Sequence, residues 1–235
     1  MSYIVRPKKS LGQHFLIDLN IAQAIADTLD NYKNTPILEV GPGMGVLTQY
    51  LLSKGHDLTV VELDHESIEY LQENFPELKG HILEEDFLKL DLSNLFSGNF
   101  CVIGNYPYNI SSQIFFKVLE YKDHIPCCSG MIQKEVAERM AAPPGSKTYG
   151  ILSVLLQAWY EIEYLFTVPE HVFKPPPKVK SAVIRLTRNE RVELGCEEKL
   201  FFNVVKTGFN QRRKTLRNSI RGIIPPGFDS PYLNL

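Results

Sequence analysis

The sequence predicts an α/β fold, in which helices pack against a mostly parallel sheet, followed by a small helical region. Three observations lead to this prediction. A short apolar run, Pro36–Val40, is followed at once by a glycine-rich turn and an apolar-periodic helix. A second apolar run, Leu58–Val61, ends in Glu62. Further apolar runs then alternate with helical patterns up to residue 188, which is typical of parallel sheets.

The element bounds follow from hydrophobic periodicity and from capping and turn residues. The predicted strands are Pro36–Val40, Leu58–Val61, His81–Phe87, Phe100–Ile103, Gly130–Gln133, Glu161–Val168 and Ala182–Leu186. The predicted helices are Leu19–Leu29 with Asp18 as N-cap, Val46–Leu52, Ser112–Glu120, Lys134–Met140, Gly150–Trp159, Glu197–Gly208 and the basic stretch Phe209–Arg221. Residues 1–188 are expected to form the main domain and residues 189–235 a small helical one.

Two further segments receive a specific interpretation. Arg6–Leu16 is basic, then broken by glycine, then apolar, which predicts an arm that folds over something, with no indication of what it covers. Val172–Val179 carries three consecutive prolines and predicts a stiff polyproline-II segment. Because strands flank it, we favour a rigid hairpin that presents Phe173 over the catalytic edge of the sheet. A P-x-x-P ligand of an SH3-type module is the alternative.

Composition narrows the class of protein. The chain has 235 residues, is 44% hydrophobic and has a formal net charge of -2. No stretch approaches eighteen uninterrupted apolar residues, so we expect a soluble, cytoplasmic protein without a membrane partner. The four cysteines lack C-x-x-C spacing and are expected to be reduced and packed, and the six histidines form no metal-binding pattern, so no metal is predicted.

Charge is distributed unevenly along the chain. Ala22–Phe100 contains 14 acidic and 4 basic residues, whereas Glu170–Arg221 contains 5 acidic and 13 basic residues. A polyanion bound at the C-terminal side would explain this polarity. The candidate phosphate contacts are Arg212, Arg213, Lys214, Arg217 and Arg221. The alternative is an ordinary solvated helix face.

The glycine turn Gly41–Gly45 predicts a nucleoside-cofactor site. Gly41 and Gly43 let the backbone approach a ligand, and Glu62, twenty-one residues after Gly41, can bind ribose hydroxyls. Val46 occupies the place of the third glycine in a G-x-G-x-x-G pattern, which weakens an NAD interpretation and favours S-adenosylmethionine. Asp86 is placed to accept a hydrogen bond from the adenine amine of that cofactor. A purely structural βα turn is the alternative.

The run Asn105-Tyr106-Pro107-Tyr108 predicts a site for the amine of a nucleobase. That amine is a poor nucleophile, so an enzyme must hold both N–H groups. Asn105 offers its side-chain oxygen, Pro107 biases Tyr106 towards an extended conformation that aims its carbonyl at the same amine, and Tyr108 offers a stacking face. The alternative is an ordinary strand-to-loop exit. A parallel sheet would bring this run to the same edge as the glycine turn.

Over nearly its whole length the chain resembles the small-subunit ribosomal RNA adenine dimethyltransferases, the kasugamycin-resistance family. The resemblance rests on five segments: Lys8–Leu16, Glu39–Gly45, Asn105–Tyr108, the pattern F-x-P-P-P-x-V-x-S-A at Phe173–Ala182, and Phe209–Asn218. It implies a class I S-adenosylmethionine-dependent methyltransferase fold that is Rossmann-like. It also implies a substrate of small-subunit rRNA within a pre-ribosomal particle, and we expect a monomer.

Site residues carried over from the family follow its motifs. The resemblance implies cofactor contacts from His14, Leu16, Gly41, Glu62, Asp86 and Asn105, and a target adenine held between Tyr108 and Phe173. Tyr106 departs from the aliphatic residue usual in the family, which is harmless if only its carbonyl acts. The family's helical domain extends past the position of Leu235, so the second domain, which we take to bind RNA, is expected to be incomplete.

Three alternatives share parts of this pattern. A large-subunit rRNA adenine methyltransferase of the erythromycin-resistance kind has the same fold and asparagine motif. A non-catalytic nucleic-acid-binding factor could retain the fold without the reaction. A DNA adenine methyltransferase could carry a similar Asn-Pro-Pro-Tyr motif.

Overall fold

The computed structural model describes residues 5–8, 11–211, 213–225 and 227–228. Its main sheet has seven strands, and a two-residue ladder lies beside it. The strands are β1 (Phe15–Leu16), β2 (Ile37–Val40), β3 (Leu58–Glu62), β4 (Ile82–Glu84), β5 (Cys101–Asn105), β6 (Cys127–Gln133), β7 (Tyr160–Val168), β8 (Phe173–Lys174) and β9 (Ser181–Arg188). The helices are α1 (Leu19–Asp27), α2 (Thr48–Ser53), α3 (His65–Asn74), α4 (Ser111–Glu120), α5 (Lys134–Ala141), α6 (Ile151–Gln157), α7 (Glu198–Asn210) and α8 (Leu216–Ser219).

The main sheet is mostly parallel, as predicted. Its strand order is β4-β3-β2-β5-β6-β9-β7. The first five strands pair in parallel, and β9 lies antiparallel between β6 and β7. The chain runs outward from β2 to β4 on one side and then returns to β5 on the other. The carboxyl ends of β2 and β5 therefore form a topological switch point, where ligands of such sheets bind.

Central strands are buried on both faces because helices cover the sheet from both sides. Along β2, Ile37 joins one apolar cluster, whereas Leu38 and Val40 join the other. The Ile37 cluster contains side chains of α1 to α3, and the second cluster contains side chains of α4 to α6. This alternation holds the carboxyl ends of the strands in fixed positions, on which the site is built.

Several element predictions need correction. The strand predicted at His81–Phe87 is only β4, because the side chain and the carbonyl of Asp86 accept from the following backbone N–H groups and start a turn. Helix α3 was not predicted at all. The short strands β1 and β8 were not predicted either, whereas the remaining strands and helices up to β9 were predicted in type and order, with shifts of up to three residues at their ends.

Two predictions about the C-terminal half are also wrong in part. The segment Val172–Val179 is not one polyproline-II stretch, because a 3-10 turn ends at Val172 and β8 follows it, paired with β1. The Lys174–Pro175 peptide bond is cis. The basic stretch Phe209–Arg221 is not one helix, because α7 ends at Asn210 and a turn follows. Beyond that turn, α8 is the only helix among the residues that the structure describes.

Within the described ranges, no helix has the length and apolar character needed to cross a membrane. Cys101, Cys127 and Cys128 are buried free thiols, as expected, whereas Cys196 is exposed. The division at residue 188 stays a prediction; β9 ends there, and helices α7 and α8 follow.

Candidate active site

A cavity opens at the carboxyl edge of the sheet, at the switch point between β2 and β5. Its lining residues belong to the segments 11–16, 39–47, 61–63, 85–88 and 105–110, together with Ile25 of α1. The predicted residues that line it are His14, Leu16, Gly41, Gly43, Glu62, Asp86, Asn105, Tyr106, Pro107 and Tyr108. The glycine turn and the asparagine motif therefore converge in one cavity, as predicted. The roles of the individual residues stay predictions.

Glu62, the last residue of β3, is fixed by the backbone around it. Its Oε2 accepts from the Gly43 N–H at 3.1 Å, and its Oε1 accepts from the N–H groups of Leu63 and Asp64 at 2.9 and 3.0 Å. Burial raises the pKa of Glu62, and these three bonds oppose that shift. A carboxylate has about four acceptor positions, so one position on Oε2 remains for a ligand hydroxyl.

The turn before α2 needs glycine for conformational reasons. Gly41 and Gly43 have φ angles of 69° and 55°, in the left-handed region. A Cβ atom on Gly43 would lie 2.9 Å from the Phe15 ring, so this position also has no room for a side chain. The backbone of the turn therefore borders the cavity directly.

Glu39 on β2 also lines the cavity. From the sequence it is recognised only as the first residue of the segment Glu39–Gly45, and no role is predicted for its side chain. It is 1% exposed, and its Oε2 accepts from the Thr48 hydroxyl at 2.8 Å. Burial raises the pKa of Glu39 to about 8, and the nearby Glu62 adds to the shift. Glu39 is therefore mostly protonated at neutral pH.

Asn105 ends β5, and a hydrogen bond sets the orientation of its amide. Its Nδ2 donates to the His14 carbonyl at 3.1 Å. No described residue donates to its Oδ1, which leaves that oxygen as an acceptor at the cavity. The next carbonyl, that of Tyr106, also accepts no described backbone bond. The two acceptors that the sequence predicted are thus both available.

The Tyr106 side chain lies in the core rather than in the site. It is 1% exposed, and its hydroxyl donates to the Ser129 carbonyl at 2.7 Å. Space for the ring comes from two glycines: a Cβ on Gly130 would lie 2.7 Å from it, and one on Gly104 would lie 3.0 Å from it. The ring fixes the backbone that follows Asn105. Glycines inside apolar strands were the available signal for this close approach.

Tyr108 and Phe173 have different surroundings. Tyr108 lines the cavity, its ring lies 5.3 Å from the His14 ring, and its hydroxyl hydrogen-bonds with that of Ser181. Burial raises the pKa of Tyr108, and the bond to Ser181 opposes the shift. Phe173 is 3% exposed and is not among the described residues that line the cavity. The structure does not bring the two rings together as the two faces of an open slot.

The predicted N-terminal arm folds over the cavity. Lys8 forms an ion pair with Asp64, and Gln13 Nε2 donates to the same carboxylate at 3.3 Å. Burial acts to raise the pKa of Asp64, but the bonds from Lys8, Gln13 and Ser67 outweigh it and lower that pKa. Sequence reasoning missed this network, since no motif connects residues more than fifty positions apart.

The last predicted cavity residue is Asp86, and the predicted RNA contacts are not among the described residues that line the cavity. Asp86 Oδ1 accepts from the Leu88 N–H at 3.0 Å, and its other oxygen lies 3.5 Å from Lys89 Nζ. Four of the predicted RNA contacts are exposed beyond α7: Arg213, Lys214, Arg217 and Arg221. Arg212 lies outside the described residues. Within the described ranges, no group of three His, Cys, Asp or Glu side chains is arranged to hold a metal ion.

Comparison with known proteins assigns the chain to a family. The model of the ribosomal RNA adenine dimethylase family matches residues 4–232. The chain belongs to this family. The protein of Parabacteroides distasonis called Ribosomal RNA small subunit methyltransferase A is 76% identical over 97% of this chain and 85% of its own length. The protein of that name from Phocaeicola vulgatus is 71% identical over 94% of this chain and 79% of its own length.

Two solved structures resemble the fold closely. The 23S rRNA methyltransferase ErmE matches with a TM-score of 0.72 and 29% identity, covering 90% of this chain and 85% of its own. A dimethyladenosine transferase from Plasmodium falciparum matches with a TM-score of 0.73 and 26% identity, covering 88% of this chain and 75% of its own. The class I methyltransferase fold with a Rossmann-like, mostly parallel sheet is thereby confirmed.

Proposed function

We propose that the chain is an S-adenosylmethionine-dependent rRNA adenine N6,N6-dimethyltransferase. Its substrate is a set of adenosines in a loop of small-subunit rRNA, within a pre-ribosomal particle, and it acts as a monomer in the cytoplasm. The family and the names of its relatives support the substrate class. The observation that carries the chemistry is the amide of Asn105, whose Nδ2 is engaged by the His14 carbonyl, so that Oδ1 faces the cavity as an acceptor.

The cavity fits the proposed cofactor. The turn at Gly41 and Gly43 offers a bare backbone surface, and Glu62 keeps one acceptor position on Oε2 for a ribose hydroxyl. Asp86 Oδ2, which lies 3.5 Å from Lys89 Nζ, keeps an acceptor position for an adenine amine. His14 and Leu16 close the cavity from the arm. S-adenosylmethionine supplies an electrophilic methyl group on its sulfonium sulfur.

The chain's own contribution to the reaction is to hold the target amine. Asn105 Oδ1 and the Tyr106 carbonyl accept its two N–H groups and orient the nitrogen lone pair towards the methyl group. Both oxygens carry partial negative charge, so they stabilise the positive charge that the nitrogen gains. The acidified ammonium then releases its proton to water, and no dedicated base is needed.

Stacking completes the proposed substrate site. The Tyr108 ring lines the cavity, whereas Phe173 is buried against the core, so a base held between both rings requires Phe173 to turn out of its cluster. Stacking does not depend on the amine hydrogens, so a monomethylated adenine still binds. A base out of its stack is required, which favours a loop over duplex. The 2′-hydroxyl would favour RNA over DNA. Arg213, Lys214, Arg217 and Arg221 are exposed and suited to phosphates.

The deciding experiment incubates the purified chain with tritiated cofactor and small ribosomal subunits that lack the modification. Nucleoside mass spectrometry is expected to show dimethyladenosine dominating at completion, and the Asn105→Ala variant serves as the inactive control. Parallel reactions contain large-subunit RNA or duplex DNA in place of the small subunits, and label in either of these instead would favour one of the other methyltransferases. No transfer by a folded, cofactor-binding protein would favour a non-catalytic binding factor.

A further inference from the structure

The connection between β8 and β9 contacts residues that line the cavity at both of its ends. Near its start, His14 Nδ1 donates to the Pro175 carbonyl at 2.8 Å, and Phe15 pairs with Lys174 across the two-residue ladder. At its end, the Ser181 hydroxyl bonds with that of Tyr108. Two residues that line the cavity, His14 and Tyr108, thus hold this connection in place.

The exposed charges of the connection are all positive. Lys174, Lys178 and Lys180 are exposed, and within the described part of the chain none of them forms an ion pair. The neighbouring Lys134 differs, since it pairs with Glu138. The family pattern F-x-P-P-P-x-V-x-S-A leaves three positions open before its serine, and in this chain a lysine fills each of them.

The backbone beneath these lysines is restrained. Three prolines fix φ over residues 175–177, Pro177 is buried, and the Lys134 N–H donates to the Lys180 carbonyl at 2.9 Å. The three lysines therefore start from a restrained backbone that contacts the cavity residues His14 and Tyr108. Lys180 also borders a second cavity, lined in part by Lys134, Glu135 and Glu138. Clustered, unpaired lysines attract a polyanion, and the polyanion in the proposed reaction is the RNA backbone.

We propose that Lys174, Lys178 and Lys180, the lysine rim, bind phosphates of the RNA strand flanking the target adenosine. The inference rests on the proposed function, because it assumes that RNA enters this cavity. Phosphate contacts position a strand without reading its sequence. The lysine rim therefore sets affinity and register, while Asn105 and Tyr108 act on the base itself.

The test measures equilibrium binding of the full chain to unmethylated small ribosomal subunits over a series of salt concentrations. In the variant Lys174→Ala/Lys178→Ala/Lys180→Ala, the log–log salt slope is expected to fall by roughly 0.7 to 0.9 for each lost contact, or roughly 2.1 to 2.7 in total. The variant Lys174→Arg/Lys178→Arg/Lys180→Arg keeps the charges and is expected to restore the slope. Calorimetric affinity for S-adenosylmethionine should not change in either variant.

The matched control is Lys33→Ala/Lys79→Ala, which removes two exposed lysines that precede β2 and β4 at the opposite edge of the sheet. It is expected to leave the slope unchanged. A salt slope in the rim variant equal to that of the wild type overturns the inference, and so does an equal loss in the control. Binding is measured without turnover, so an inactive wild type would count against the proposed function alone.

Discussion

The carboxyl and amino edges of the sheet each border a cavity, and the two cavities differ in how their buried polar groups are held. At the carboxyl edge, Glu62 accepts three backbone N–H groups and Asn105 is fixed by the His14 carbonyl. At the amino edge, His56 is 6% exposed and lines a cavity between α2 and the turn after α3. Neither of its ring nitrogens has a hydrogen-bond partner among the described residues.

Topology accounts for this difference. At the carboxyl edge the chain leaves β2 and β5 in opposite directions, which opens a crevice between them. Loops that enter this crevice can present backbone groups and side chains to a ligand. At the amino edge the loops connect the preceding helix or turn to the next strand, and the strand order opens no crevice between them. Polar groups held in fixed orientations therefore identify the ligand-binding edge, and an unpartnered buried histidine does not.

The largest effect is expected from Asn105→Ala. The variant loses the acceptor that holds the amine and stabilises its charge, so methyl transfer should slow by roughly 10²- to 10³-fold, the scale of removing one preorganised electrostatic contact. Single-turnover transfer to unmethylated small subunits measures it. Asn74→Ala, at the amino-edge cavity, is the matched control and should transfer at the wild-type rate. Near-normal turnover in Asn105→Ala would refute the proposed role of the amide.

How far the sequence predicts this site depends on how its residues are distributed along the chain. Gly41, Gly43, Glu62 and Asn105 lie in short motifs at strand ends, so a correct strand order brings them together. The contacts of Lys8 with Asp64 and of Tyr108 with Ser181 join residues 56 and 73 positions apart. Such pairs depend on packing, which leaves no local pattern.

The fold shows the same limit. Strands of the parallel sheet are continuous apolar runs and were recognised. Helix α3 has only Ser67, Ile68 and Leu71 as buried residues, too few for a clear apolar stripe, and it was missed. The end of β4 depends on one side chain, since the Asp86 carboxylate accepts from the Leu88 N–H. A single local hydrogen bond of this kind decides an element boundary without changing hydrophobicity.

The next effect concerns Glu39, whose pKa is raised to about 8 in the folded protein. An unfolded glutamate titrates near 4.3, so between about pH 4.5 and 8 the folded state binds a proton that the unfolded state has released. Stability from this group is therefore full at low pH and is lost as pH rises to about 8. The variant Glu39→Gln cannot titrate, so its free energy of unfolding should rise relative to that of the wild type by about 2.7 kcal/mol between pH 5 and pH 7, at about 1.36 kcal/mol per pH unit.

Urea unfolding of both cofactor-free proteins at a series of pH values measures this difference. The exposed Glu77 lines the amino-edge cavity, and Glu77→Gln serves as the control with no comparable trend. A constant stability difference between the wild type and Glu39→Gln from pH 5 to 8 would show that Glu39 is ionised in the folded protein.

A somewhat smaller effect is expected from Glu62→Ala. The ribose loses its acceptor, and cofactor affinity should fall by roughly 1 to 3 kcal/mol, the scale of a hydrogen bond to a charged group. Isothermal titration calorimetry measures it, with Glu77→Ala as the control from the other edge. Unchanged affinity in a folded Glu62→Ala variant would remove Glu62 from the cofactor site and reduce the contrast between the two edges.

The smallest effect is expected at His56. Burial lowers the pKa of His56 from its usual 6.5, and the nearby Lys54 lowers it further. The unfolded chain therefore binds a proton near pH 6.5 that the folded protein does not, so the stability from neutral His56 is full above about pH 6.5 and is lost as pH falls below it. This pH dependence of stability is opposite to that of Glu39. Replacing His56 with Gln should remove this loss of stability between pH 7 and 5, measured by urea unfolding at a series of pH values. His124→Gln, at an exposed position, is the control. An acid sensitivity as large in His56→Gln as in the wild type would mean that the ring is partnered or hydrated in solution, and the two edges would then hold their buried polar groups alike.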